Sequence, residues 1–290
     1  MSASLATKAA RKLRTTPLVL RLLAPFGRDL VPERWIFVVG CYNSGTSLLA
    51  SELASHPAIA ALPQEGVFLT DALPPPERFG WTRMWCRCAE AMRQDPGPAG
   101  AAVARRIRRQ WSLWLPRGPA NVLEKSVANV VHIPFLAAHF RPAYFVYLVR
   151  DGYAATEGIR RKARPARWGN DDFPGGYPVE LCAEQWRASD ELARRHLGAV
   201  ERALTLTYEE LTLAPGQTLR RITDFLGLPP LAEDILARPW AIHDLNEPIR
   251  DMNADSHRRL GAADFAAIER AAGAALARYR YERPRDLAGA

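Results

Sequence analysis

One short loop constrains the fold of this chain more than any other part of its sequence. GCYNSGTS, residues 40–47, follows the apolar run WIFVV and precedes LLASELASHP, so it predicts a turn between a strand and a helix. A phosphate-binding P-loop reads G, any four residues, then G-K-[ST]. Gly40, Gly45 and Ser47 keep that spacing, but Thr46 stands where the P-loop has its lysine. The sequence therefore predicts an anion-binding turn that lacks the usual cation.

Four further apolar segments follow this strand, with helical patterns between them. The segments are 59–62, NVLEK at 121–125, AYFVYLVRD at 143–151 and ALTLTYEEL at 203–211. Helical spacing of apolar residues predicts helices over 47–56, 126–140, 179–197, 215–227 and 264–279. Short strands that alternate with helices are typical of βαβ units. We expect a P-loop-NTPase-like three-layer α/β/α fold around a central parallel sheet.

Polar side chains follow the predicted strands where they end. The 40–47 loop, Glu65, Lys125 and Arg150 all lie at or shortly after a strand end. Parallel sheets bind ligands outside the carboxyl ends of their strands, so one crevice can collect these groups. NTPases use an aspartate at such a strand end to help hold Mg²⁺, whereas here Arg150 comes first and Asp151 next. Asp151 is predicted to cap the following helix, and Arg150 to bind a second phosphate.

Several blocks of sequence, in order along residues 35–230, carry a family resemblance. They are VVGCYNSGTSLLASELASHP, LPQEGVF, LEKSVANVVHIPFLAAHF, FVYLVRDGYAATEGIRRK and LTYEELTLAPGQTLRRITDFLGLP. Together they resemble the sulfotransferases that use adenosine 3′-phosphate 5′-phosphosulfate (PAPS), in the style of the bacterial and tyrosylprotein enzymes. The resemblance implies in-line transfer of a sulfuryl group from PAPS to a hydroxyl or amine, without a metal. Adenosine 3′,5′-bisphosphate (PAP) is the implied product.

The resemblance also implies roles for single residues. Glu65 aligns with the glutamate that takes the acceptor's proton, and Lys125 with a lysine that stabilises the transferring group. Arg150 would pair with the 3′-phosphate. The remaining residues implied to bind the cofactor are Asn43, Ser44, Gly45, Thr46, Ser47, Lys162 and Tyr208, and the stretch 256–259 would correspond to a segment that closes over it.

Two positions depart from the family pattern. Asn43 stands where a lysine or arginine contacts the sulfuryl group, and Gly158 where a serine binds the 3′-phosphate. Lys125 is the candidate to replace the first contact. Arg160, Arg161 and Lys162 are the candidates for the second. A catalytically weakened relative that binds PAPS or PAP is the alternative function, and a nucleotide-dependent kinase, which Thr46 disfavours, is the less favoured one.

Each of these side chains also has a purely structural interpretation. Glu65 is then a solvated loop acid or a helix N-terminal charge, and Lys125 a surface lysine. Arg150 is then paired with Glu124 or Asp151. The six histidines are interpreted as structural or surface residues, because they show no metal-ligand spacing. The tryptophans at 81, 85, 111 and 114 are interpreted as core rather than as an acceptor site.

Charge and cysteine content limit the partners and the compartment. A net charge of +8 over 290 residues, carried mostly by arginine, suits anions but is too modest to demand nucleic acid. The four cysteines form neither paired metal motifs nor a disulfide framework, which indicates a cytoplasmic protein. The acceptor classes compatible with the sequence are small molecules, glycans, lipids and peptides.

The first 33 residues form a basic N-terminal extension with no acidic residue before Asp29. Its apolar run PLVLRLLAPF is too short to span a bilayer and is interrupted by Arg21. The extension predicts a basic amphipathic helix on a membrane surface or on the domain itself, with a transit peptide as the alternative. Residues 34–290 are expected to form a single domain, with substrate-loop insertions near 74–119 and 163–178.

Overall fold

A five-stranded sheet forms the centre of the structure, a computed structural model that describes residues 15–232, 240–242, 245–247 and 250–284. The strands are β1 (Arg34–Gly40), β2 (Ile59–Ala61), β3 (Asn121–Lys125), β4 (Ala143–Val149) and β5 (Ala203–Thr207). They lie in the order β2-β3-β1-β4-β5, and every ladder is parallel. The predicted parallel sheet is confirmed.

Helices connect the strands and cover both sides of the sheet. They are α1 (Pro17–Leu23), α2 (Thr46–Ala54), α3 (Ala89–Met92), α4 (Ala101–Ser112), α5 (Ile133–His139), α6 (Gly152–Lys162), α7 (Val179–Leu197), α8 (Tyr208–Leu213), α9 (Pro215–Leu226), α10 (Asn253–His257) and α11 (Ala262–Arg278). Two short strands, β6 (Trp240–Ile242) and β7 (Leu245–Glu247), pair antiparallel apart from the main sheet.

The three layers follow from the alternation of side chains along β1. Trp35 and Phe37 face a large core shared with α4, α5, α7 and α11. Ile36 and Val38 face the other side, where they pack with apolar residues of α2, α8 and α9. Successive side chains of a strand point to opposite faces, so a strand that is apolar throughout requires cover on both. The predicted α/β/α layering is therefore confirmed.

Two predicted elements differ from the structure. The helix expected over 126–140 is a 3₁₀ turn, Val127–Val130, followed by α5, which has Pro134 in its first turn. Proline cannot donate a backbone hydrogen bond and clashes with the preceding turn, so the helix restarts there. The strand expected over 203–211 ends at Thr207. The Thr207 side chain accepts from the backbone N–H of Glu210, and this capping box begins α8.

The segment 74–119, predicted as a substrate loop, contains the regular helix α4. Its tryptophans are core residues, as predicted: Trp85 and Trp111 are buried, and Trp81 and Trp114 pack partly buried against the same cluster. The N-terminal extension docks on α4, where the Gln110 side chain donates to the Leu20 carbonyl over 3.0 Å. Residues 1–14 of that extension lie outside the described residues.

Strand register brings the candidate residues to one edge of the sheet. Gly40 at the end of β1 lies opposite Leu148, two residues before Arg150. Lys125 pairs with Val38 at the end of β3, and Thr207 with Val149 at the end of β5. Because all five strands run the same way, the residues that follow them meet at the carboxyl edge.

Candidate active site

The loop after β1 adopts a conformation that its sequence makes accessible. Asn43 has φ of 62° and Gly45 has φ of 86°, both left-handed. Asparagine and glycine are the residues that adopt this region most readily. A Cβ on Gly45 would lie 2.7 Å from the Tyr208 ring, so glycine is also needed for the close packing of the helix that follows β5. Helix α2 begins directly afterwards at Thr46, and its free backbone N–H groups face this loop.

Three buried side-chain donors around this loop have no hydrogen-bond partner among the residues that the structure describes. They are the Asn43 Nδ2, the Ser44 hydroxyl and the Arg150 Nη2. A buried donor without a partner costs about 1–3 kcal/mol, and proteins rarely leave one unpaired without a reason. Donors that converge with a helix N-terminus form a site for an anion.

Arg150 is held rigidly over the loop by neutral partners. Its Nε donates to the Asn253 Oδ1 over 2.7 Å, and its Nη1 to the Asn43 carbonyl over 2.7 Å. The guanidinium carbon lies 4.2 Å from the centre of the Tyr208 ring. Within the described part of the chain Arg150 makes no ion pair, so the structural interpretation that pairs it with Glu124 or Asp151 is wrong. Its charge is buried with no carboxylate in direct contact among the described residues, which favours an anionic ligand.

Residues that contact the partners of Arg150 hold those partners in place. No local sequence pattern indicates these residues. Glu209 accepts from the Asn253 side chain over 2.6 Å and from the Asp151 backbone N–H over 3.1 Å. Asp151 caps α6 as predicted, because its carboxylate accepts from the Ala154 backbone N–H over 2.8 Å. Asn253 reaches Arg150 from a distant part of the sequence. Only the tertiary fold brings α10 to this edge.

The stretch 256–259, expected to close over the cofactor, follows Asn253 in this region. His257 lies 3.1 Å from the Asp151 carboxylate, and Ser256 is buried. Arg258 pairs with Asp255, and Arg259 bonds to the Asp255 carbonyl. The structure thus places this segment beside the Arg150 cluster, with its first half facing inward.

Glu65 and Lys125, predicted as the general base and the transferring-group lysine, form an ion pair. The Lys125 Nζ lies 2.7 Å from the Glu65 Oε1, and the Lys125 and Glu65 side chains are 15% and 25% exposed. Both therefore remain partly open to solvent at the carboxyl edge. Glu65 also lies directly before the 3₁₀ turn Gly66–Phe68, where the alternative interpretation expects a helix N-terminal charge. The contact with Lys125 is one that neither the loop-acid nor the surface-lysine interpretation includes.

A buried carboxylate, Glu124, holds the loop that carries Glu65. Glu124, at 0% exposure, accepts from the Gly66 backbone N–H over 2.8 Å and also from the Ser126 hydroxyl and the Asn129 amide. Burial raises the pKa of Glu124 from 4.5 to about 7. The neighbour Gly66 follows Glu65 directly, so Glu124 ties the loop carrying Glu65 to β3. Sequence reasoning considered Glu124 only as a partner for Arg150.

The three cations expected to compensate for Gly158 differ in whether they are already paired with a carboxylate. Arg160 is held bidentately by Asp264 over 2.7 and 3.0 Å, and Arg161 pairs with Glu157 over 2.8 Å. Neither guanidinium is therefore free. Lys162 remains, and its pKa is lowered by lost hydration first and then by the charges of Arg83, Arg161 and Arg150.

Arg83 is a cation that the sequence did not single out. It comes from the 74–119 segment, has φ of 56°, and lies with its guanidinium carbon 5.7 Å from the centre of the Tyr42 ring. Tyr42 belongs to the loop after β1. Arg83 therefore brings a positive charge from the insertion to the loop after β1.

The two insertions pack against each other beside this loop. Trp81 stacks on Tyr177 with ring centres 6.1 Å apart and contacts Phe173 at 6.0 Å. Phe173 and Tyr177 belong to the second insertion, 163–178. The aromatic contact fixes Arg83, two residues after Trp81, on this side of the sheet.

The remaining histidines and cysteines have structural surroundings, and among them Cys41 belongs to the loop after β1 itself. His132 is fully buried, and burial lowers its pKa to about 4. His56 bridges the Ala58 backbone N–H and the Pro229 carbonyl, while His243 lies outside the described residues. All four cysteines are free thiols, and burial raises the pKa of Cys41 to about 12.

Metal clusters and membrane-spanning helices are both absent from the described ranges. In those ranges no group of three His, Cys, Asp or Glu residues is placed to hold a metal ion. No helix there is long and apolar enough to cross a membrane.

Comparison with known proteins places this architecture in a family. The sulfotransferase family model matches residues 35–233. The protein-tyrosine sulfotransferase 1 of Danio rerio is 28% identical over 201 residues, which are 67% of this chain and 53% of that protein. The chain spans about half the length of the curated relatives it matches.

Solved structures show the same fold at low sequence identity. Sulfotransferase STF9 from Mycobacterium avium superposes with a TM-score of 0.58 at 16% identity, covering 95% of this chain and 86% of that one. A mouse sulfotransferase crystallised with PAP gives 0.51 at 15% identity, covering 90% and 93%. The family match spans well over half of the chain and includes the carboxyl ends of all five strands of the sheet. The chain belongs to the sulfotransferase family.

Proposed function

We propose that this protein transfers a sulfuryl group from PAPS to a hydroxyl or amine of an acceptor. The observation that carries the proposal is the buried Arg150, which makes no ion pair among the described residues. It lies above a loop whose buried donors have no partner there, next to the Glu65–Lys125 pair. The relative from Danio rerio is a protein-tyrosine sulfotransferase, and the mouse structure contains PAP. Both support PAPS as the donor.

The loop after β1 fits the phosphosulfate end of the donor. Ser44 offers a buried hydroxyl without a partner, and Thr46 and Ser47 begin α2, where free backbone N–H groups are available. The glycine at position 45 lets the ligand approach the backbone closely. Arg150, backed by the Tyr208 ring, fits the second phosphate of the same donor.

The donor, when bound, supplies the sulfuryl group and leaves as PAP. Glu65 accepts the proton of the acceptor hydroxyl or amine, and a positioned base of this kind contributes about 10²–10⁴-fold to the rate. Lys125 lies within 2.7 Å of that carboxylate and can exchange this contact for one with a sulfuryl oxygen. The proton thus ends on Glu65 while negative charge passes to the leaving phosphate.

Positive charge near the transferring group has to come from residues other than Asn43. Lys125 supplies one charge from β3, and Arg83 supplies another from the insertion. Lys162 at the end of α6 stays the candidate for the second phosphate, and its pKa is lowered by lost hydration first and then by the charges of Arg83, Arg161 and Arg150. Two cations from different elements therefore take the place of the one expected in the loop.

The two insertions are the proposed acceptor-binding segments. Trp81, Phe173 and Tyr177 form an aromatic contact beside the loop. Segments that differ from a regular scaffold usually carry specificity. The acceptor is proposed to be a small molecule, glycan, lipid or peptide with a nucleophilic hydroxyl or amine.

Thermal unfolding with PAP tests the donor assignment. A ligand at one hundred times its Kd stabilises the fold by about 2.7 kcal/mol, so PAP should raise the melting temperature by several degrees. ATP with magnesium should raise it much less. A larger shift with magnesium-ATP than with PAP would contradict the proposal and favour a kinase.

Release of PAP from PAPS in the presence of candidate acceptors tests the transfer step. The uncharged Asn43 favours the second candidate, a relative that binds PAP without transfer. Binding of PAP with no sulfated product from tyrosine peptides, phenols, sugars or lipids would support that second candidate.

The N-terminal extension supports a further proposal, a peripheral membrane contact. Leu18, Leu22 and Phe26 lie four residues apart and are 67%, 62% and 80% exposed, with Arg21 exposed between them. A basic helix with an exposed apolar stripe is typical of binding to anionic lipid surfaces. We also propose a cytoplasmic location and a single domain over 34–290, to which this extension is attached.

A further inference from the structure

Asn43 and Gly158 lie in contact, although one belongs to the loop after β1 and the other to α6. A Cβ built on Gly158 would lie 2.8 Å from the Asn43 Cγ, 2.9 Å from its Cβ and 3.0 Å from its Nδ2. Real Cβ atoms do not approach other atoms so closely. Glycine inside a helix is less stable than alanine, so the close approach of Asn43 gives position 158 a reason to be glycine.

The Asn43 side chain packs against Gly158, but its amide is not satisfied in hydrogen bonding. Its Nδ2 is buried and has no hydrogen-bond partner within the described part of the chain. The backbone carbonyl of the same residue accepts from the Arg150 Nη1 over 2.7 Å. Arg150 also has one partnerless donor, its Nη2. Two buried, unpaired donors thus lie on residues that are joined by a hydrogen bond.

We propose that the Asn43 side-chain amide donates to the phosphate held by Arg150, and that Gly158 is the space that admits this amide. The inference rests on the proposed function, since it assigns a residue within the PAPS and PAP site. Asn43 then binds the phosphate held by Arg150 instead of the transferring sulfuryl group. The departures at positions 43 and 158 are then coupled: the amide of Asn43 takes over the phosphate contact that the serine at position 158 makes in the family pattern.

The left-handed backbone of Asn43 offers a simpler explanation that the test has to separate. Asparagine and glycine both tolerate φ near 62°, so Asn43 could be kept for conformation alone. Asn43→Gly preserves that conformation and removes only the amide. This substitution therefore isolates the hydrogen bond from the turn.

Calorimetric titration with PAP and with adenosine 5′-monophosphate, which lacks the 3′-phosphate, tests the proposal. Asn43→Gly should weaken PAP binding about tenfold or more, as expected for a hydrogen bond to a charged group. Binding of the monophosphate should change less than about twofold, because it lacks the phosphate that the amide serves. Gly158→Ser should also weaken PAP binding, because its side chain displaces the amide.

The double variant Asn43→Gly with Gly158→Ser should bind PAP more tightly than either single variant. The serine hydroxyl then occupies the space that the amide has left. Gly273→Ser is the matched control, since Gly273 lies inside α11 where an added Cβ would meet open space, and it should leave PAP binding unchanged. Thermal unfolding without ligand shows which variants fold. If Gly158→Ser does not fold, the comparison of PAP and monophosphate binding by Asn43→Gly tests the proposal alone.

Equal weakening of PAP and monophosphate by Asn43→Gly would overturn the proposal and place the amide at the 5′ end. Unchanged PAP binding would overturn it too, while leaving the proposed function intact. Wild-type protein that binds no PAP would overturn both. A loss of about tenfold confined to PAP, with recovery in the double variant, would support the coupling of these two positions.

Discussion

In the proposed mechanism, the transfer step depends on the Glu65 carboxylate. Glu65→Gln should lower kcat by about 10²-fold or more, because the amide cannot accept the acceptor's proton. PAP affinity should stay nearly unchanged, since Glu65 pairs with Lys125 rather than with a donor of the anion loop. Steady-state kinetics with PAPS and titration with PAP measure the two effects. Glu33→Gln, at a carboxylate 72% exposed, is the control, and a retained kcat in Glu65→Gln would refute the role of base.

In the proposed donor site, affinity for the 3′-phosphate depends on Arg150. Arg150→Lys keeps the charge but loses the planar fork that contacts Asn253 and the Asn43 carbonyl. We expect PAP to bind about 10–100-fold more weakly, the range for lost hydrogen bonds to a charged group. Calorimetry measures this loss, and Arg167→Lys at an exposed site is the control. An unchanged Kd would show that the second phosphate binds elsewhere.

The sequence located these residues but not their surroundings. Glu65, Lys125 and Arg150 follow strand ends, and strand ends can be read from apolar runs. Arg83, Asn253 and Glu209 follow no comparable local pattern. They reach the site because the insertion, α10 and α8 pack over the carboxyl edge. Their positions depend on contacts between segments that are far apart in the chain.

At the scale of elements, Glu124 couples β3 to the loop that carries Glu65. Its folded pKa of about 7 is above the ordinary value of 4.5. The folded state therefore binds more protons than the unfolded state between these values, and stability falls as pH rises from about 4.5 to 7. The loss is on the order of 3 kcal/mol for one buried carboxyl.

Glu124→Gln removes this titration. The free energy of unfolding of the variant should fall less than that of the wild type as pH rises through this window, measured by urea unfolding at each pH. The Asn129 Oδ1, which has no partner, can accept from the new amide after rotation of the Asn129 side chain. Parallel pH profiles for the two proteins would show that Glu124 is not the titrating group.

The elements themselves were predictable to different degrees. The limits of α7 agree with its apolar periodicity, and α9 begins at Pro215 and ends before the left-handed Gly227, as expected. Apolar periodicity predicts the wrong element limits where a proline or a capping residue interrupts it. Pro134 interrupts an otherwise continuous apolar face, and the Thr207–Glu210 capping box ends a β-rich run.

At the scale of the whole molecule, the N-terminal extension connects the sulfotransferase-family fold to a proposed membrane surface. Leu20 is buried against the fold while Leu18 and Leu22 on the same helix are exposed. This orientation leaves the apolar stripe and Arg21 available to lipid.

Leu18→Ser with Phe26→Ser should reduce binding to vesicles that contain phosphatidylserine by about tenfold, because exposed apolar surface drives insertion. Co-sedimentation measures the bound fraction, and salt should weaken binding of the wild type. Leu213→Ser, at a leucine 88% exposed on α8, is the control. Failure of the wild type to bind either anionic or neutral vesicles would contradict the membrane contact.

The sequence by itself determined the parallel sheet, the anion loop and the order of the site residues, because periodicity and spacing are local properties. The tertiary structure decided which of those residues are free to act. It ties Arg160 to Asp264, brings Arg83 to Tyr42, and sets Asn43 against Gly158. Such contacts depend on how helices and insertions pack, and no local pattern encodes them.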